Sequence, residues 1–132
     1  RELYLESCHR GMDCYGELCG AGIGHDAAGY ATPQGLRNVL LISATPYQWK
    51  HIIGQRICRR NTDETRSVLL KVWQELYRLS PVLFSVQLTG AFCQRDKCLE
   101  GKLGCGKKLG TSQGPSEILA ADYPALFKGG AT

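Results

Sequence analysis

Five side chains between positions 50 and 60 carry or can accept positive charge: Lys50, His51, Arg56, Arg59 and Arg60. No carboxylate interrupts them, and Asp63 and Glu64 come only afterwards, where the first turn of a following helix favours acids. An arginine on the apolar face of a helix has to reach a carboxylate or an anionic ligand, because a buried unpaired charge is costly. The planar guanidinium fork suits bidentate contact with a phosphate or a nucleobase carbonyl. Anion binding is therefore the chemistry this stretch points to, with Arg56 at its centre and a phosphate-bearing ligand as the class. The alternative is internal: Arg56 pairs with Asp26, Glu64 or Glu75, Arg59 and Arg60 are solvated, and His51 is a satisfied polar side chain.

A second set is Cys93-x4-Cys98-x6-Cys105, interleaved with lysines. Three thiols so spaced can converge on one zinc ion, with a fourth ligand from Cys8, His9, Cys14, Cys19 or His25. Reduced structural thiols and disulfides are the other readings. The cysteine count is seven, an odd number, and no basic-plus-apolar leader opens the chain. That combination favours reduced thiols or a metal site in the cytoplasm over a disulfide framework. Cys58, one residue beyond Ile57, reads as packing.

The elements that position these groups follow from periodicity. Leu36 to Ser43, with its apolar run Val39-Leu40-Leu41-Ile42, reads as a strand covered on both faces. Thr45 and Pro46 suit the cap and first turn of a helix. Trp49, Ile52, Ile53, Arg56 and Ile57 follow at helical spacing. Asn61 with Glu64 makes a capping-box pattern for a second helix. Its stripe is Val68, Leu69, Val72, Trp73, Leu76 and Leu79, and Pro81 stops it. Upstream, residues 2–10 form a short helix ended by Gly11. The glycine-rich residues 11–35 read as loop, with a faint phosphate-cradle pattern at Gly20-Ala21-Gly22 and Gly24. The expected fold is α+β: one domain over residues 1–108, a buried strand followed by two packed helices, and a Cys/Gly-rich C-terminal end. Residues 109–132 are expected as an extended tail lying over another surface.

Composition bounds the function without choosing it. An apolar fraction of 43% and a charged fraction of 21% are globular values. The net charge of +4 permits an anionic partner without demanding nucleic acid. No apolar run approaches the roughly 20 residues of a membrane helix. The chain opens on Arg1 inside an amphipathic pattern, which reads as an end with a segment missing upstream.

The run Leu36 to Phe84 resembles the C-terminal part of the flavin-dependent thymidylate synthases, above all through Trp49-Lys50-His51-Ile52-Ile53-Gly54-Gln55-Arg56-Ile57-Cys58 and Asp63-Glu64-Thr65-Arg66. Asp26-Ala27-Ala28 and Thr32-Pro33 stand where those enzymes carry an Asp-Ala-Arg segment and a Leu-Pro pair. Arg56 and Glu64 keep the family's eight-residue separation. Cys93, Cys98, Glu100-Gly101-Lys102 and Cys105-Gly106 resemble the cysteine-bearing ends of some phage and bacterial members. The resemblance spans roughly residues 13–108 and marks a diverged member. The family's Arg-His-Arg with a following Ser is absent, Ala28 (or Gly29, with the alignment slipped by one) stands in place of an arginine, and Thr45-Pro46-Tyr47 replaces an Asn-x-Arg helix start.

The resemblance implies reductive methylation of dUMP, with FAD carrying the hydride and NADPH and methylene-tetrahydrofolate as co-substrates. It implies a homotetramer with shared active sites, Arg56 holding the nucleotide, and Glu64 serving the helix cap and packing. In a virus, the location would be the host cytoplasm or the virion. Two other classes fit the same residues. One is a non-catalytic structural or assembly protein that kept the fold; the other is a zinc-stabilised nucleic-acid-binding module using Lys50, Arg59, Arg60 and the basic tail.

Overall fold

The computed structural model describes residues 1–37 and 39–127. Its contacts divide into two units with the boundary between Ile42 and Ser43. No strand occurs among the described residues, and the fold is all-helical rather than α+β.

In the first unit, α1 (Glu2–Gly20) runs through Gly11 and Gly16 instead of stopping at Gly11. A glycine costs a helix roughly 1 kcal/mol against alanine. Gly11 repays this by close approach: a Cβ there would stand 2.8 Å from the Ala31 carbonyl oxygen and 3.3 Å from the Pro33 ring. The helix ends before Gly22, whose φ of +83° needs the left-handed region. Short α2 (His25–Ala28) follows, with a 3-10 turn at Gly29–Ala31. Tyr15 Oη lies 2.8 Å and Cys19 Sγ 3.5 Å from His25 Nδ1.

The expected buried strand is the main correction. Val39, Leu40, Leu41 and Ile42 lie outside any element, and Val39 and Leu40 are 83% and 74% exposed. A strand exists only through ladder partners, and an apolar run cannot supply them by itself. Asn38, inside the expected strand, lies outside the described residues.

The second unit holds the core. Its α3 (Pro46–Arg56) starts as expected: Gln48 N–H donates to Thr45 Oγ1 at 3.3 Å, and Thr45 N–H donates to Gln48 Oε1 at 2.8 Å. Thr45→Ala should cost about 1 kcal/mol of stability in chemical denaturation; an unchanged midpoint would show that the cap is idle. The next helix, α4 (Asp63–Leu79), is capped by Thr62 rather than Asn61, Thr65 N–H donating to Thr62 Oγ1 at 3.4 Å. Asn61 faces backwards instead, its amide donating to the carbonyls of Gln55 and Cys58 at 2.9 and 3.3 Å, and so closes the end of α3. The helix stops just before Pro81, as expected.

Short α5 (Val86–Thr89) and α6 (Phe92–Arg95) follow. Gly54 lets α3 approach this corner, since a Cβ there would meet the Gly90 carbonyl oxygen at 3.3 Å and Arg95 Nη2 at 2.6 Å. Then α7 (Pro115–Asp122) packs on α4, with α8 (Pro124–Phe127) behind it. The stretch expected as an extended tail thus contributes Leu109, Ile118 and Leu119 to a core that includes Ile53, Ile57, Leu70, Trp73 and Phe84. No described helix is long and apolar enough to cross a membrane.

Candidate functional site

The last turn of α3 and the residues after it form one wall of an open cleft of about 820 Å³ in the second unit. Helix periodicity decides which side chains face it. Ile53 and Ile57 turn into the core, so Arg56 between them stays at the surface, and Arg59 and Arg60 continue the cationic rim. The lining also includes Phe92, Glu100, Lys107 and Lys108. Arg56, Arg60, Lys107 and Lys108 have no carboxylate partner among the described residues. Within this unit, the internal pairing of Arg56 with Glu64 or Glu75 is not formed among the described residues.

Arg59 differs. Its guanidinium donates to both oxygens of Asp122 at 3.0 and 3.3 Å, which leaves Arg59 largely neutralised. The same carboxylate accepts from the buried guanidinium of Arg66, whose Nε also donates to the Ile57 carbonyl at 2.9 Å. Burial works against the charge on Arg66, and the hydrogen bonds and charge interactions with Asp122 and Tyr123 together outweigh it, so its pKa is held above the ordinary arginine value. Tyr123 completes the network, accepting from Arg66 at 3.2 Å and donating to Asp63 at 2.8 Å. Burial, then the bond to Asp63, pushes the Tyr123 hydroxyl up against the opposing pull of Arg66, so it remains a neutral donor at physiological pH. This network anchors the α3–α4 junction to the end of α7, and so supports the cleft wall.

Sequence reasoning quoted Arg66 without giving it a role. The signal was present: Arg66, Leu70 and Trp73 stand at i, i+4 and i+7 and are the three buried residues of α4. Lys50 and His51 do not line the cleft. His51 packs T-shaped on Phe92, ring centroids 6.4 Å apart.

Cys93, Cys98 and Cys105 all line the cleft, joined by Cys58. None of the seven cysteines is in a disulfide. Among the described residues no three His, Cys, Asp or Glu side chains are gathered to hold a metal ion, so the zinc expectation is not met by a formed site.

The helical second unit thus presents a cleft whose lining includes guanidinium and ammonium groups without a carboxylate partner among the described residues. The profile of the family described as thymidylate synthase complementing protein matches residues 1–82. The chain belongs to that family. It is 30% identical over 103 residues to the flavin-dependent thymidylate synthase of Thermococcus onnurineus (strain NA1), covering 74% of this chain and 42% of that protein. It is also 30% identical over 117 residues to the flavin-dependent thymidylate synthase of Pyrococcus abyssi (strain GE5 / Orsay), covering 82% and 48%. The chain thus spans less than half the length of these relatives. No solved structure matches it.

Proposed function

We propose that this unit holds the phosphate-bearing end of a nucleotide, dUMP, for flavin-dependent reductive methylation to thymidylate. The observation that carries the reading is Arg56: solvent-facing, without an ion pair among the described residues, and lining a cleft with three further cations that likewise lack one, Arg60, Lys107 and Lys108. A mononucleotide suits a cleft of this size. The guanidinium of Arg56 supplies two parallel donors for a phosphate or pyrimidine carbonyl, while Arg60, Lys107 and Lys108 act as nearby point charges.

In the complete reaction the flavin carries the hydride from NADPH, and methylene-tetrahydrofolate gives the carbon; these parts of the proposal rest on the family. The donor set here fits a phosphate better than a flavin ring. Phe92 is the one aromatic residue among the lining side chains, and the Arg95 guanidinium already sits over it at 4.7 Å from the ring centroid.

Calorimetric titration of dUMP tests the reading. A hydrogen bond to a charged group contributes roughly 1.5–3 kcal/mol, so Arg56→Gln should weaken binding about ten- to a hundredfold. Equal affinity in wild type and variant, or no dUMP binding by the wild type, would remove the proposal.

The assembly reading has one observation of its own, the exposed apolar run Val39 to Ile42. Contiguous exposed apolar surface marks interaction sites. The expected result is a mass above the monomer in light scattering, reduced by Leu41→Asp; a monomer in both would dismiss it.

A further inference from the structure

We infer that Cys19, with His25 as its proton acceptor, is a nucleophilic thiol that exchanges with small disulfides, and so is a site of reversible S-thiolation in the first unit. His25 Nδ1 lies 3.5 Å from Cys19 Sγ and 2.8 Å from Tyr15 Oη. All seven cysteines are free, and among the described residues Cys19 is the one with a nitrogen base within hydrogen-bond reach. A thiol and an imidazole in contact are the pair that nucleophilic cysteine chemistry requires.

The arrangement is built by the turn between two helices. Tyr15 and Cys19 stand four apart on α1 and so share one of its faces. After them the chain reverses through a glycine-closed helix end. There Gly22 N–H donates to the Cys19 carbonyl at 3.0 Å, Ile23 N–H donates to the Leu18 carbonyl at 3.0 Å, and Gly22 takes a φ of +83°. His25 then opens α2, whose Ala28 is fully buried. The imidazole is thereby returned to the face that carries the phenol and the thiol. Cys19 is half-buried and His25 exposed, so a small reagent in solution reaches the sulfur.

The three groups share one lone pair. With the imidazole proton on Nε2, Nδ1 is a single acceptor facing two donors, the Tyr15 hydroxyl and the Cys19 thiol. The bond between Tyr15 and Cys19 pushes the phenol up from its ordinary value, so the hydroxyl keeps its proton and the thiol is the group that yields one. Helix α1 offers its carbonyl end here, not the N–H end that activates cysteines elsewhere, so activation comes from the imidazole.

In the exchange, Nδ1 accepts the thiol proton while Cys19 Sγ attacks one sulfur of the disulfide. A bond forms between Sγ and that sulfur, the bond within the small disulfide breaks, and the departing thiolate takes the proton from His25. The disulfide supplies the oxidising equivalents, and one molecule of its thiol is released.

Incubation of the whole chain with oxidised glutathione, followed by acid quench and peptide mass spectrometry, reads the rate at each cysteine. Cys19 should be thiolated about tenfold faster than Cys14, which is exposed on the same helix and makes no side-chain hydrogen bond among the described residues. His25→Gln should slow Cys19 about tenfold and leave Cys14 unchanged. In urea the wild-type difference should vanish, because it depends on the folded turn. The wild-type ratio stands as a test by itself should the variant unfold. A Cys14 rate equal to or above that of Cys19, a folded His25→Gln protein with the wild-type Cys19 rate, or a Cys19 preference that persists in urea would each overturn the inference.

Discussion

Replacing Trp73 with alanine is expected to lower the unfolding free energy by about 3–5 kcal/mol. Trp73 has no exposed surface and is the largest fully buried side chain in the molecule's described part. It lies on α4 within the cluster that includes Ile53, Ile57 and Leu70, so its removal empties the space where α3 and α4 meet. Its indole N–H also donates to the Phe84 carbonyl at 2.9 Å, and this bond ties the α4–α5 loop to the core. Leaving that carbonyl unsatisfied costs roughly 1–3 kcal/mol by itself. Trp73→Phe separates the two contributions, since it keeps most of the apolar volume and loses the donor; a loss of about 1–3 kcal/mol is expected there. Far-ultraviolet circular dichroism in a urea titration is the suitable measurement, because the variants remove a fluorophore. A Trp73→Ala protein within about 1 kcal/mol of wild type would contradict a core centred on this residue, given what such truncations cost.

What the sequence made legible was local. The Thr45 cap and the stop before Pro81 each depend on a few neighbouring residues, and the structure contains both; of the expected α4 stripe, Trp73 is buried and Leu69 and Leu76 pack on the core, whereas Val68 and Leu79 are exposed and the buried Leu70 was not in it. The family was legible too: the run around Arg56 and its spacing to Glu64 carried the resemblance, and the family match over residues 1–82 includes both. The strand was not. Val39 to Ile42 has strand-like composition, but sheet formation is decided by distant partners that periodicity does not name. The second helix cap failed for a related reason: Asn61 and Thr62 are both good caps, and only the fold shows that Asn61 is needed by the carbonyls of Gln55 and Cys58. The grouping of Cys58 with the three downstream cysteines was likewise hidden, since it requires the chain to return to the end of α3 after more than thirty residues. Arg66 was misjudged in the opposite way. The expected stripe began at Val68 and passed over Arg66, and its partners Asp122 and Tyr123 lie in a region that low periodicity disguised as tail.

Those partners make the second large prediction, that Asp122→Asn destabilises the protein by about 3 kcal/mol or more. Asp122 sits between two guanidiniums, one half-exposed on Arg59 and one buried on Arg66. Removing its charge leaves Arg66 paired with neutral acceptors alone, the Ile57 carbonyl and Tyr123 Oη. A buried cation without a counter-ion is the costly outcome; an ion pair replaced on both sides by apolar groups often is not. The double variant Asp122→Asn with Arg66→Met should therefore recover part of the loss, and a double-mutant cycle measures how much of the coupling is specific. The sign is what matters: a double variant less stable than the sum of the two singles would mean that Arg66 acts through packing rather than charge. The cleft should respond as well. Asp122→Asn releases Arg59 at the rim, so any variant that still folds should bind inorganic phosphate more tightly than wild type, and more steeply so at low salt. Helix α7, through one carboxylate, thereby sets both the stability of the cleft wall and the number of cations the cleft presents.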